Sequence, residues 1–200
     1  MMRRFRLLST AGLTLLELMI VLAVMAVIVS LAAPSFAEMI QMQRLRGINA
    51  QLVTDLQYAR SEAVSRGRIA RVNFGQDTAQ TCYVIYTATG NGIPRCDCTR
   101  APGTACQPGG SSAQEIRTVS VPRSGGVSLT WPSSQNTAFG YNHITGGLVA
   151  IPTDSNTAVL AEVQIESRLD DDRRLRNVVL QTGRPSVCAP NSQRMQVTAC

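Results

Sequence analysis

This chain of 200 residues has no lysine and one histidine. Its 19 Lys or Arg residues are all Arg. No H-E-x-x-H motif and no C-x-x-C pair is present, so the sequence does not predict a zinc site. The one histidine, His143, lies in a Tyr-Asn-His-Ile segment that we expect to be a turn, where its imidazole is structural or solvated. There is no G-x-S-x-G motif and no glycine-rich phosphate-binding loop. We therefore expect neither an enzyme nor a bound cofactor or metal.

Charge is also scarce, since only 16% of the residues are charged and the formal net charge is +6. Residues 1–12 hold three arginines and no acidic residue, so the chain without them carries +3. A total this small gives little support to nucleic acid as a partner.

Residues 13–33, in contrast, form one long apolar run that is long enough to cross a bilayer as a helix. Thr14, Ser30 and Glu17 are its only polar residues. Because an ionisable group inside hydrocarbon is costly, we expect Glu17 to have a partner and a purpose. The arginines that precede the run would keep its start on the cytoplasmic side. They are Arg3, Arg4 and Arg6.

Two simple interpretations of this run explain it incompletely. A secretory signal peptide has an apolar region of only about 7–15 residues, followed by a small-residue cleavage site. Pro34 would obstruct cleavage directly after the run, and residues 35–37 offer an imperfect second site. A plain membrane anchor explains the length of the run but not the presence of Glu17.

Residues 12–18, Gly-Leu-Thr-Leu-Leu-Glu-Leu, resemble the processing signature of type IV pilins and type II secretion pseudopilins. The resemblance implies that a prepilin peptidase cleaves between Gly12 and Leu13 and methylates the new amine, although the family usually has Phe where Leu13 stands. Opposite charges attract strongly at low dielectric, so Glu17 would pair with the amine of a neighbouring subunit during assembly. The rival interpretation is an unprocessed, membrane-anchored periplasmic domain.

After Pro34, which should kink or locally open the helix, the helical pattern continues and becomes amphipathic. We predict one helix from residue 13 to about residue 66, ended by Gly67, with Glu62 and Arg66 spaced for an ion pair. The apolar stripe consists of Leu45, Ile48, Leu52, Leu56, Ala59 and Ala63. The charged residues expected on the other faces are Arg44, Arg46, Asp55, Arg60, Glu62 and Arg66.

Residues 56–64, Leu-Gln-Tyr-Ala-Arg-Ser-Glu-Ala-Val, resemble the end of this helix in the GspH/FimT group of minor pilins and pseudopilins. The resemblance implies an α+β, type IV pilin-like fold, in which a long N-terminal transmembrane helix packs on an antiparallel β-sheet or small β-sandwich with disulfides. It does not separate the secretion branch of the group from the pilus branch.

From residue 68 the composition changes to short β-type runs separated by turn residues. The predicted strands are residues 69–74, 82–87, 115–121, 126–131 and 147–151, and residues 159–165 and 175–180 form a hairpin. We expect the Asp170–Asp172 turn of this hairpin to be neutralised by Arg173, Arg174 and Arg176 rather than to bind Ca²⁺. Residues 89–112 form a loop that is too long to be an idle connection.

The six cysteines predict disulfides in an oxidising periplasm. Cys188 and Cys200 are neighbours in the sequence and should close the C-terminal loop. The other four would supply two more bridges around the long loop, with their pairing left open among the fifteen that six cysteines allow. They are Cys82, Cys96, Cys98 and Cys106.

Residues 183–188, Gly-Arg-Pro-Ser-Val-Cys, resemble the C-terminal Gly-Arg-x-Arg-x-Cys motif of FimT-type minor pilins, which take up DNA during natural transformation. The resemblance makes Arg184 a candidate for DNA contact. Ser186 replaces the second Arg of the motif, which weakens the expected electrostatic attraction. Arg176 and Arg194 are candidates to compensate. The alternative is a strand that ends in a turn before a disulfide.

We therefore expect a leader at residues 1–12, a transmembrane half-helix at 13–33, an amphipathic half-helix at 34–67 and a periplasmic β-rich domain at 68–200. The protein would be a single-pass inner-membrane prepilin that is incorporated into a type II secretion pseudopilus or a type IV pilus. Its partners would be other pilins or pseudopilins, a prepilin peptidase and an inner-membrane assembly platform. The alternative function is that of a FimT-like minor pilin that binds DNA.

Overall fold

A computed structural model describes residues 14–89, 96–106, 112–131, 138–151 and 160–200. The chain divides into two compact units, residues 1–40 and residues 41–200. The predicted cleavage site at Gly12 and Leu13 lies outside the described residues.

The first element is helix α1, Leu15–Arg66. By length and composition it is able to cross a membrane, and no side chain of its most apolar window is buried. Pro34 lies inside α1 and does not end it. A run of exposed aliphatic side chains of this length suits hydrocarbon better than water.

In the second unit, the apolar stripe predicted along α1 is buried. Its buried members are Leu45, Leu52, Leu56, Ala59 and Ala63. Two polar residues of α1, Asn49 and Asp55, are buried with them. The prediction that Asp55 lies on a face other than that of the apolar stripe is therefore wrong. Its carboxylate accepts a hydrogen bond from Tyr83 and pairs with Arg117, and these contacts offset the cost of burial.

Gly67 ends α1 as predicted. Its φ is +61°, a left-handed conformation that glycine adopts without strain. The N–H of Gly67 donates to the carbonyl of Val64 at 3.3 Å, and the N–H of Arg68 donates to that of Ala63 at 3.2 Å. These two bonds form a Schellman motif, which satisfies the last carbonyl groups of the helix. The predicted ion pair between Glu62 and Arg66 is also present.

Strands follow α1 and form two antiparallel sheets. The described strands are β1 Ala70–Gln76, β2 Gln80–Ala88, β3 Ala113–Pro122, β4 Ser128–Thr130, β5 Ala138–Tyr141, β6 Leu148–Ala150, β7 Glu162–Arg168, β8 Arg174–Leu180 and β9 Pro185–Cys188. One sheet has the order β3-β2-β1-β5-β6, and the other has the order β4-β7-β8-β9. A short helix, α2 Ser192–Met195, follows β9. The α+β class is confirmed.

One hydrophobic core contains side chains from α1 and from both sheets. Leu52 and Leu56 of α1 are packed in the same cluster as Phe139 of β5 and Ile165 of β7. Each predicted strand overlaps an observed one, but the sequence does not predict β5. All four residues of β5 are buried, and this strand pairs with β1. It therefore completes the core beneath the helix.

Three disulfides lie outside this core. They are Cys82–Cys98, Cys96–Cys106 and Cys188–Cys200. The first two hold residues 96–106 against the side of β2 that faces away from α1, where Cys82, Val84 and Tyr86 form a second buried cluster. The described part of the long loop thus acts as a cover for the outer face of the sheet. The third bridge joins the end of β9 to the end of the chain.

The hairpin turn at Asp170–Asp172 is neutralised differently from the prediction. Asp170 pairs with Arg173 at 2.6 Å, and this bond is the main reason that the pKa of Asp170 lies below its ordinary value. Arg174 and Arg176 pair instead with Glu166 on β7. Arg176 lies beside Glu166 because the two residues are directly opposite in the antiparallel pairing of β7 and β8, and Arg174 is its diagonal neighbour on the same face.

Candidate functional site

Glu17 lies in the first turn of α1, and its side chain is exposed. Its backbone N–H donates to the Oγ1 atom of Thr14 at 3.2 Å, which caps the start of the helix. Among the residues that the structure describes, the carboxylate of Glu17 has no ion-pair partner. A carboxylate without a described partner, in an apolar run, is available to a group from another molecule.

Arg184 lies between the turn after β8 and the start of β9, and its side chain is exposed. The preceding Gly183 has a φ of +76°. A Cβ atom added at Gly183 would lie 2.1 Å from the carbonyl oxygen of Gly146. Glycine is therefore required at position 183 because two backbone segments meet there.

The two arginines expected to compensate for Ser186 are engaged elsewhere. Arg176 pairs with Glu166 at 2.8 Å, and Arg194 lies 3.6 Å from a carboxylate oxygen of Asp172. The structure instead brings Arg60 of α1 beside Arg184, since both residues line the same two cavities. Sequence reasoning missed this neighbour, because α1 and the β8–β9 turn are far apart in the chain.

The larger cavity, which we name the Arg60–Arg184 recess, has a volume of about 720 Å³. It lies between β6, at the edge of one sheet, and the β8–β9 turn of the other. Its lining includes Arg60, Leu148, Val149, Gln181, Thr182 and Arg184. A smaller cavity of about 350 Å³ shares its two arginines and reaches Gln57 on α1.

Hydrogen bonds fix the walls of the Arg60–Arg184 recess. The Nε–H group of Arg60 donates to the carbonyl of Gly146 at 2.9 Å, and the N–H of Leu148 donates to that of Gln181 at 3.0 Å. The side chain of Asn142 accepts bonds from the N–H groups of Ile144 and Thr145 and so orders the turn before β6. The guanidinium of Arg60 is thus held in place.

The electrostatics of the recess favour an anion. Its described lining includes two arginines and no Asp or Glu. Neither Arg60 nor Arg184 forms an ion pair with any described residue. Tyr141 is buried nearby; its burial raises the pKa of its hydroxyl, and the charge of Arg60 opposes this rise. The described residues contain no group of three acidic, His or Cys side chains placed to hold a metal ion.

Comparison with known proteins identifies a family. The model of the family described as Type II transport protein GspH matches residues 49–183, which is more than half of the chain. The matched segment contains the second part of α1, Arg60 and strands β1 to β8, and it ends one residue before Arg184. No curated protein and no solved structure matches the chain.

Proposed function

Because the chain belongs to the GspH family of type II transport proteins, we propose that it is a structural subunit of a secretion pseudopilus or of a related type IV pilus. The observation that carries this proposal is the family match over the end of α1 and both sheets, preceded by an exposed apolar run that contains Glu17. The role is mechanical rather than enzymatic. Filament growth would be driven by a separate ATPase.

In this proposal a prepilin peptidase removes residues 1–12 and methylates Leu13. Residues 13–33 then anchor the chain in the inner membrane, and residues 68–200 lie in the periplasm. Glu17 pairs with the α-amine of a neighbouring subunit and sets its position in the filament, because an unpaired carboxylate in hydrocarbon would be costly. The partners are other pseudopilins or pilins, the peptidase and the assembly platform.

The experiment that tests this proposal is the incorporation of a Glu17→Val variant. We expect the variant to be cleaved and membrane-bound as usual but to be strongly reduced in sheared filaments, because its helix no longer attracts the neighbouring amine. Glu38→Val is the matched control, since Glu38 is an exposed acidic residue of the same helix outside the apolar run. Immunoblots of sheared and membrane fractions measure the ratio. Normal recovery of Glu17→Val, or an equal loss for both variants, would contradict the assembly role.

A second candidate function is DNA binding by a FimT-like minor pilin. The observation in its favour is that Arg184 is exposed, unpaired among the described residues and close to Arg60. Duplex binding depends on the number of phosphates that a protein neutralises. Ser186 stands in place of the second Arg of the motif, and Arg176 and Arg194 lie beside carboxylates. Only Arg60 and Arg184, of the arginines considered for this site, are then left to neutralise phosphates. The pseudopilin role is therefore the better supported one.

A further inference from the structure

We propose that the Arg60–Arg184 recess binds an acidic side chain of another polypeptide, which makes this end of the domain a docking site for an acidic protein segment. The proposal goes beyond the role of a filament subunit, and it does not depend on whether residues 1–12 are removed.

The two guanidinium groups are the first support. Several other arginines of the domain pair with carboxylates of the same chain; Arg117 lies 3.0 Å from Asp55, and Arg176 lies 2.8 Å from Glu166. Arg60 and Arg184 have no such partner among the described residues. Arg60 uses its Nε–H group to hold Gly146, which leaves its terminal amino groups for another acceptor. Planar guanidinium groups bind carboxylates through paired, charge-assisted hydrogen bonds.

The shape of the recess is the second support, and it favours a protein segment over a nucleic acid. A volume of about 720 Å³ suits one or two side chains with a short piece of backbone. Leu148 and Val149 supply an apolar surface, and Gln181 supplies an amide beside it. A DNA duplex presents its phosphates on a broad outer surface, and a half-buried Arg60 is less accessible to such a surface than to a single side chain.

The rigidity of the recess is the third support. Gly183 and Gly146 touch backbone to backbone, and the bond from Leu148 to Gln181 ties β6 to the β8–β9 turn. A site whose arginine is already oriented loses little conformational entropy when an anion binds. The charge of Arg60 is thus placed for a ligand before it arrives.

The test is a titration of the full-length protein in zwitterionic detergent micelles, followed by NMR of its arginine Nε–H signals. The probes are a short capped peptide of alternating Gly with Asp or Glu, its amide counterpart with Asn and Gln, and a DNA duplex. Arg60→Gln and Arg184→Gln identify the two signals. Arg68→Gln is the matched control, because Arg68 is also exposed and has no ion pair among the described residues.

We expect the acidic peptide to shift the Arg60 and Arg184 signals in a saturable way, while the amide peptide leaves them unchanged. Arg184→Gln should weaken binding by about tenfold, because one charged hydrogen-bonding group is lost. Arg184 is exposed, so this variant should fold normally even if Arg60→Gln does not. Arg68→Gln should bind like the wild type.

Three results with the peptides would overturn the proposal, and a fourth with the duplex. They are the absence of a saturable shift at these signals, equal binding of the amide peptide, and equal binding by Arg184→Gln. A duplex that shifts both signals at lower concentration than the acidic peptide would also overturn it, and would assign the recess to DNA.

Discussion

Replacement of Asp55 by alanine is expected to lower the free energy of unfolding by about 3 kcal/mol, although the residue is a charged one in an amphipathic helix. Asp55 is only 1% exposed. Its Oδ2 atom accepts a hydrogen bond from the hydroxyl of Tyr83 at 2.6 Å, and its Oδ1 atom lies 3.0 Å from Arg117. Through these contacts a single side chain joins α1 to β2 and β3.

Most of the loss should come from Tyr83. Burial, and then the carboxylate of Asp55, raise the pKa of the Tyr83 hydroxyl above its ordinary value, so this group stays a proton donor. Without Asp55 the buried hydroxyl of Tyr83 would have no acceptor. A buried donor without a partner lowers the stability by its full cost of desolvation. Arg117 is half-exposed and would return to water at little cost.

Urea unfolding of a chain that begins at Gln41, followed by the fluorescence of Trp131, measures this effect. Trp131 is the one tryptophan, and its ring lies 5.5 Å from that of Phe74 in the core. Asp171→Ala, which removes an exposed acid from the hairpin turn, should change the stability by less than about 0.5 kcal/mol. In the Asp55→Ala, Tyr83→Phe double mutant the losses should be less than additive. Additive losses, or a loss for Asp55→Ala as small as that of the control, would contradict the network.

Gly183→Ala is expected to cost at least about 2 kcal/mol, and the same substitution at Gly47 is expected to have the opposite sign. At position 183 the left-handed φ disfavours alanine, and the new Cβ atom would collide with the backbone oxygen of Gly146. At position 47 no atom lies within 4 Å of the added Cβ, and alanine favours the helix interior by up to about 1 kcal/mol. Urea midpoints of both variants measure the pair. A Gly183→Ala protein as stable as the wild type would show that the two turns do not touch.

The helix illustrates what the sequence predicts well. The spacing of Leu52, Leu56, Ala59 and Ala63 indicates the buried stripe, because a helix has 3.6 residues per turn. Gly67 indicates the end, since glycine is the usual residue in the left-handed position after a helix. Residues 56–64 resemble the GspH/FimT group, and the family match confirms this resemblance.

The same periodicity fails where polar residues are buried. It assigns Asp55 to a face other than that of the apolar stripe, because the pattern distinguishes residues only by their polarity. Asn49 is also buried, and its side-chain oxygen accepts a bond from Asn177 of β8 at 2.7 Å. Partners of this kind come from strands far along the chain, so no local pattern predicts them. The sequence does not predict β5 for a related reason. The strand is short and contains Gly140, which is typical of a turn, and only its pairing with β1 makes it a strand.

Local sequence patterns predict even less of the Arg60–Arg184 recess. Arg184 is a candidate from its motif alone, but Arg60 looks like a solvated charge on the outer side of a helix. The two residues meet only because Gly183 packs against Gly146 and brings the β8–β9 turn to the edge of β6. The arginines that are near Arg184 in the sequence, Arg176 and Arg194, lie beside carboxylates instead. Tertiary contacts therefore decide which charges act together.

Mass spectrometry of the N-terminal peptide tests the pilin-like nature of the chain most directly. The protein would be purified from the membrane fraction of cells with an active prepilin peptidase, in parallel with a Gly12→Val variant. The proposed function predicts a wild-type chain that begins at Leu13 with a methylated amine, and a variant that keeps its leader because a branched side chain blocks cleavage. A wild-type chain that still begins at Met1 or Met2 would contradict it.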